Sequence, residues 1–178
     1  SSLERFGVPT HFILVVRAIY TDRTFSVRDA GKTSEEYPQA FGISQGCPLS
    51  PFLFASVMTT LLRDAKKEAT PYLNKSTNVH ELVYADDTLL LATSGESAGA
   101  YMHAVQRMGR QYGSHFNWRK IEALAVGTDV CISKPDGTLI PQKGSIVYLG
   151  SLISDDGKIG SELSRRLGAA GADFDKLA

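Results

Sequence analysis

An α+β fold, with an antiparallel sheet covered on one face by helices, is predicted by three features of this sequence. Its 178 residues are the size of one domain. Its segments run helix, hairpin, helix, hairpin, helix and then several strands, an order that suits a mixed antiparallel sheet with helices packed against it. Its strand-like runs are separated by tight turn signals, as hairpins require.

Taken in order, "GVPTHFILVVRAIYT" predicts a helix from about Pro9. Proline suits the first helical turn, and Phe12, Ile13, Val16, Ile19 and Tyr20 make one apolar stripe. "TFSVRD" and "EEYPQAFGI" flank Ala30-Gly31-Lys32 and predict a hairpin. In "LSPFLFASVMTTLLRDAKKEA", Ser50 suits a helix cap, Pro51 fits the first turn, and apolar residues run to Leu62 before the charges begin. Residues 79–93 predict two short strands around Ala85-Asp86-Asp87. "SAGAYMHAVQRMGRQYG" follows as an amphipathic helix with Met102, Val105, Met108 and Tyr112 on one side and a stop at Gly113. Beyond it, "IEALAV", "VCIS", "TLIP" and "IVYLGSLIS" read as strands with turns at Pro135-Asp136-Gly137 and Asp155-Asp156-Gly157, and a last helix starts near Gly160.

Hydrophobic residues make up 43% and charged residues 21%, which describes a globular and not a disordered chain. Lys and Arg number 19 against 19 Asp and Glu. That balance gives no support to an independent nucleic-acid binder, which usually carries a basic excess, and leaves open one whose basic parts lie elsewhere. "FILVVRAIY" at 12–20 is broken by Arg17 and too short to cross a bilayer, so no membrane partner is expected. No secretory leader opens the chain, and Cys47 and Cys131 stand alone. An intracellular setting, nucleus or cytoplasm, is therefore expected. The four histidines are scattered singly and read as surface or packing residues.

The chemistry-bearing stretch is "ELVYADDTLLLATS" at 81–94, where Asp86 and Asp87 interrupt apolar runs that would otherwise read as buried strand. Successive strand side chains point to opposite faces, so two neighbouring acids serve one site only where the chain turns. A tight strand-turn-strand would set them at the lip of the sheet. Asp-Asp is also ordinary turn chemistry. An aromatic two positions before the pair and a Leu run after it are not. Mg²⁺ binds through one or two carboxylates plus substrate phosphates, and two such ions can clamp the attacking and leaving oxygens of phosphoryl transfer.

"YADD" at 84–87 within "LVYADDTLLLA" resembles the catalytic hairpin of reverse transcriptases, and its Ala resembles the non-LTR retrotransposon (LINE-like) and group II intron branch. "GISQGCPLSPFLF" at 42–54 resembles the segment that opens the palm helix, "NWRKIEALAVG" at 117–127 the Asn-x-x-Lys-Thr-Glu stretch with Ile121 in place of Thr, and "VYLGSLIS" at 147–154 the primer-grip hairpin. "GVPTHFILVVRAIYTDRTFSV" is similar to the helix and strand ahead of the palm helix. The resemblance implies a right-hand polymerase palm over about 1–127 and a primer-grip region with the start of a thumb connection over about 128–178. It implies Asp86 and Asp87 as catalytic metal ligands for two Mg²⁺ ions, with Mn²⁺ as a substitute. Gln45, Gly46, Tyr84 and Ala85 would shape the nucleotide and template site. Lys120 would act as general acid toward pyrophosphate, and Tyr148, Leu149 and Gly150 would steady the primer end. The implied partners are an RNA template, a DNA primer and deoxynucleoside triphosphates.

Nothing in residues 1–8 matches the strand that carries the family's first catalytic Asp, and Asp22 and Asp64 lie in the wrong places to replace it. The expectation is a palm fragment missing its upstream fingers and first acid strand and its downstream thumb, with little or no activity by itself. The alternative is a non-catalytic retroelement remnant that binds nucleic acid weakly through Arg107, Arg110, Arg119 and Lys120. Apolar surface left uncovered could also pair two copies.

Overall fold

The computed structural model of the chain describes residues 1–44, 46–73, 79–127 and 129–176. They divide into two compact units, Ser1–Asp64 and Ala65–Ala178.

The first unit opens with a short helix α1 (Ser2–Arg5), closed by a capping box in which Ser1 and Glu4 satisfy each other's backbone. Helix α2 (Thr10–Tyr20) follows from Pro9, as the sequence predicts. Of its apolar stripe only Ile13 is buried; Phe12 is 55% and Ile19 50% exposed, so the stripe forms but its outer half lies open. Next come β1 (Thr24–Phe25), β2 (Arg28–Asp29), β3 (Lys32–Thr33) and β4 (Tyr37–Pro38). The β2–β3 hairpin sits inside a β1–β4 ladder, with Asp29 opposite Lys32 and Phe25 opposite Tyr37. Its turn is Ala30-Gly31, both at positive φ (47° and 78°), the geometry whose twist matches that of the strands. Helix α3 (Ser50–Ala69) begins at Ser50 with Pro51 in its first turn. Ser50 was expected as a cap ahead of the helix; it is the first helical residue, buried, with its hydroxyl 3.0 Å from the Tyr20 phenol. Arg5 pairs with Asp64 through two hydrogen bonds of 2.5 and 2.7 Å, tying α1 to α3.

In the second unit the end of α3 leads through a 3₁₀ turn (Thr70–Tyr72) to β5 (His80–Tyr84) and β6 (Asp87–Leu91). These form one antiparallel hairpin with Tyr84 opposite Asp87 and His80 opposite Leu91. Helix α4 (Gly95–Gln111) is capped by Ser94, whose side chain accepts from the Ser97 amide. It ends where Gly113 takes φ +74° and the Ser114 amide returns to the Gly109 carbonyl at 2.8 Å. Its inner face buries Tyr101, Met102, Ala104 and Val105, and together with Ala65, Ala69, Val79, Ala125 and Ile140 these make the unit's core.

The rest is shorter than the sequence suggests. Strands β7 (Ala123–Leu124) and β8 (Gln142–Lys143) pair in parallel, and only a single bridge, Ser133 to Leu139, remains of the strands expected at "VCIS" and "TLIP". Strands β9 (Ser145–Tyr148) and β10 (Ser151–Ser154) form a second tight hairpin, and α5 (Gly160–Asp175) packs against β10. A mixture of helices and small, mainly antiparallel sheets is an α+β architecture. Among the described residues, however, the strands pair off as five two-stranded ladders and not as the one continuous sheet expected. Six of the ten described strands are only two residues long, too short to support a wider sheet, while β5–β6 and β9–β10 are longer but stay two-stranded. No described helix is long and apolar enough to cross a membrane.

Candidate functional site

The β5–β6 hairpin sets the acids at its tip. Ala85 and Asp86 form the two-residue turn, with Ala85 at φ +51°, while Asp87 is the first residue of β6 opposite Tyr84. Val and Tyr in "HELVY" favour the extended backbone, and the polar Asp86 ends the pairing. Asp86 and Asp87 are both exposed. The apolar flanks expected to be buried are open too, with Leu82 50% and Tyr84 65% exposed. Cover comes from α4, which packs against β6 and leaves its residues 88–90 half-buried, whereas residues 82–84 of β5 stay exposed on both faces. Among the described residues neither acid pairs with a cation, and no group of three or more His, Cys, Asp and Glu is placed to hold a metal ion.

At its base the hairpin is anchored by charge. Glu81 of β5 lies 3.6 Å from Lys66 of α3 and beside the wholly buried Tyr101 of α4. Burial, and then the Glu81 carboxylate, push the Tyr101 phenol well above its ordinary value, so it stays neutral.

The second hairpin reaches the first. The Tyr148 hydroxyl donates to the Leu82 carbonyl at 2.9 Å, joining residues 66 apart in sequence. The β9–β10 turn is Leu149-Gly150, both at positive φ (48° and 79°). Its outer side is held by α5: Arg165 donates to the Gly150 carbonyl at 2.5 Å, and the Leu152 amide donates to Glu162 at 3.0 Å. Glu162 also accepts from Arg165 at 2.9 Å and Arg166 at 2.5 Å. The guanidinium of Arg165, then that of Arg166, then the Leu152 amide hold its carboxyl at about 2. Glu162, Arg165 and Arg166 were not singled out from sequence, although Glu followed by Arg three and four positions on is a legible helical pairing.

Lys120 is exposed and ends a turn in which its amide bonds the Asn117 carbonyl at 2.9 Å. Arg107 of the expected basic cluster is engaged by Glu68. In the first unit Gly46 takes φ +82° in the approach to α3, a value glycine adopts without strain. That approach is pinned by Arg23, which bonds Ser44 and the Gly42 carbonyl at 2.6 and 3.0 Å and stacks on Tyr20. The Cys47 thiol is lowered by the Leu49 amide first and the Ser50 hydroxyl second. Gln45 lies outside the described residues.

The family model of reverse transcriptase (RNA-dependent DNA polymerase) matches residues 1–153. The chain therefore belongs to the reverse transcriptase family. Its relatives place it with the non-LTR retrotransposons, the branch suggested by the Ala of YADD. It is similar to the Pol polyprotein of the type-2 retrotransposable element R2DM of Drosophila melanogaster, 38% identical over 92 residues, 51% of this chain and 8% of that protein. An R2 Pol polyprotein of Nasonia vitripennis is 37% identical over 87 residues, 49% of this chain and 8% of the relative. One from Popillia japonica is 27% identical over 170 residues, 88% of this chain and 28% of the relative. The chain thus spans a small part of the length of each.

Proposed function

We propose that this chain is the palm and primer-grip part of an RNA-directed DNA polymerase of a non-LTR retroelement. The observation that carries the reading is the pair of unpaired, adjacent carboxylates at the tip of the β5–β6 hairpin. Among the described residues neither meets a cation, and both face solvent, open to a divalent cation and the phosphates it would carry. Mg²⁺ fits this donor set, because it takes one or two carboxylates and completes its shell with water and substrate phosphates. Asp86 and Asp87 would hold it, and bound there it neutralises charge on the reacting phosphates.

In the reaction the primer 3′-hydroxyl, giving up its proton to water, attacks the α-phosphorus of the incoming nucleotide and the bond to pyrophosphate breaks. Lys120 supplies the proton that the departing pyrophosphate takes up. The resemblance gives Gln45, Gly46, Tyr84 and Ala85 roles toward nucleotide and template; Gly46, with no side chain, would let a nucleotide approach the backbone before α3. The Leu149-Gly150 turn steadies the primer end. Residues to about 127 form the palm part and 128–178 the grip and thumb connection. With Asp86 and Asp87 as the acids it brings to a two-metal reaction, the chain alone has little or no activity.

The test is primer extension on an RNA template by the full translation product of the reading frame that encodes this chain. Mg²⁺-dependent extension is expected, and Asp86→Asn abolishes it; full activity in that variant sinks the metal role. Salt-sensitive binding with no incorporation under any condition favours the non-catalytic remnant instead.

A further inference from the structure

We propose that Tyr148 is a positioning residue and not a nucleic-acid contact: its hydroxyl couples the β9–β10 turn to β5 of the hairpin whose tip carries the acid pair, while Glu162 and Arg165 clamp the opposite side of that turn. The inference rests on the polymerase reading for its catalytic consequence.

Three observations converge. Along β9 the side chains alternate, with Val147 62% exposed and Tyr148 half-buried, so Tyr148 is the residue turned inward beside the outward Val147. Its only polar atom is already committed, donating to the Leu82 carbonyl on β5. A hydroxyl committed to a backbone carbonyl has no second proton to offer a phosphate.

The outer edge of the same hairpin is closed by α5. The Gly150 carbonyl and the Leu152 amide are backbone groups that an edge strand would otherwise present to water. Arg165 takes the first and Glu162 the second, and the two side chains are bonded to each other. The turn is therefore held from both sides by hydrogen bonds to its own backbone or its flanking residue. Leu149 and Gly150 at its apex remain exposed, and Arg166 reaches back to Ser151 at 3.3 Å. A turn fixed in this way sets the distance between whatever rests on its apex and the acids at residues 86 and 87. That distance matters because in-line attack depends on placing the nucleophile to within a fraction of an ångström.

Amide hydrogen exchange on the chain itself reads the coupling without any substrate. Tyr148→Phe is expected to raise exchange by about fivefold at the amides of both hairpins, the factor that one net hydrogen bond corresponds to. Glu162→Gln is expected to raise it in β9–β10 alone. In the extension assay on the full translation product, Tyr148→Phe lowers kcat while the Kd for the primer–template duplex stays unchanged. Unchanged exchange along β5 in Tyr148→Phe overturns the coupling, and a weakened primer Kd with kcat preserved makes Tyr148 a direct contact. If the unsubstituted product extends nothing, the polymerase reading fails while the exchange experiment still decides the coupling.

Discussion

Glu162 is one carboxylate shared by two guanidiniums and a backbone amide, and its acidity carries a testable pH dependence. Because its folded value, about 2, lies below the ordinary glutamate value, its contribution to stability is complete above the ordinary range and is lost as pH falls through the folded value. Denaturation midpoints of the chain and of Glu162→Gln should therefore differ near neutrality and converge as the pH is taken down toward about 2. A difference that persists unchanged to that pH would show that the carboxylate acts through shape alone. The Glu–Arg spacing behind this cluster was open to reading because both partners lie on one helix. The Tyr148–Leu82 bond was not, since nothing local in either segment announces a partner 66 residues away. The acids themselves were legible from chemistry: two adjacent carboxylates between apolar runs conflict with strand burial unless the chain turns there, and it does.

Among the elements, the β9–β10 turn holds a leucine where the backbone is left-handed. Leu149 at φ +48° pays a steric cost that Asn largely avoids, and Asn-Gly is the sequence such two-residue turns prefer. Leu149→Asn should stabilise the chain by roughly 0.5–1 kcal/mol, measured by chemical denaturation. A destabilised variant would mean that the exposed leucine packs on something in solution. Helices were the most legible elements, because caps, a first-turn proline and a 3.6-residue period mark α2, α3 and α4 independently of their neighbours. The parallel β7–β8 pair was invisible, since two residues per strand are too few to show alternation, and pairing across a long gap is set by tertiary contacts.

For the molecule as a whole, charge and apolar exposure matter more than topology. Formal neutrality, with Arg107 committed to Glu68, gives no net basic excess to displace counterions from a nucleic acid. Binding of the isolated chain to an RNA–DNA duplex should show a log–log salt slope shallower than about 3 in magnitude, the slope of a few phosphate contacts. A steeper slope would reveal a basic surface that composition hides. Sequence periodicity told which face of α2 is apolar but not what covers it, and most of that face is open in the first unit. Apolar patches of this kind usually mark where another surface docks.

The tether from Tyr148 ends on a main-chain oxygen, and this has a consequence for how the protein can drift. Every amino acid at position 82 supplies that same acceptor, so mutation there cannot sever the link chemically. Replacement of the tyrosine can. Evolution is thus constrained at one end of the tie and free at the other, and pairwise covariation between the two positions should be absent even though they touch.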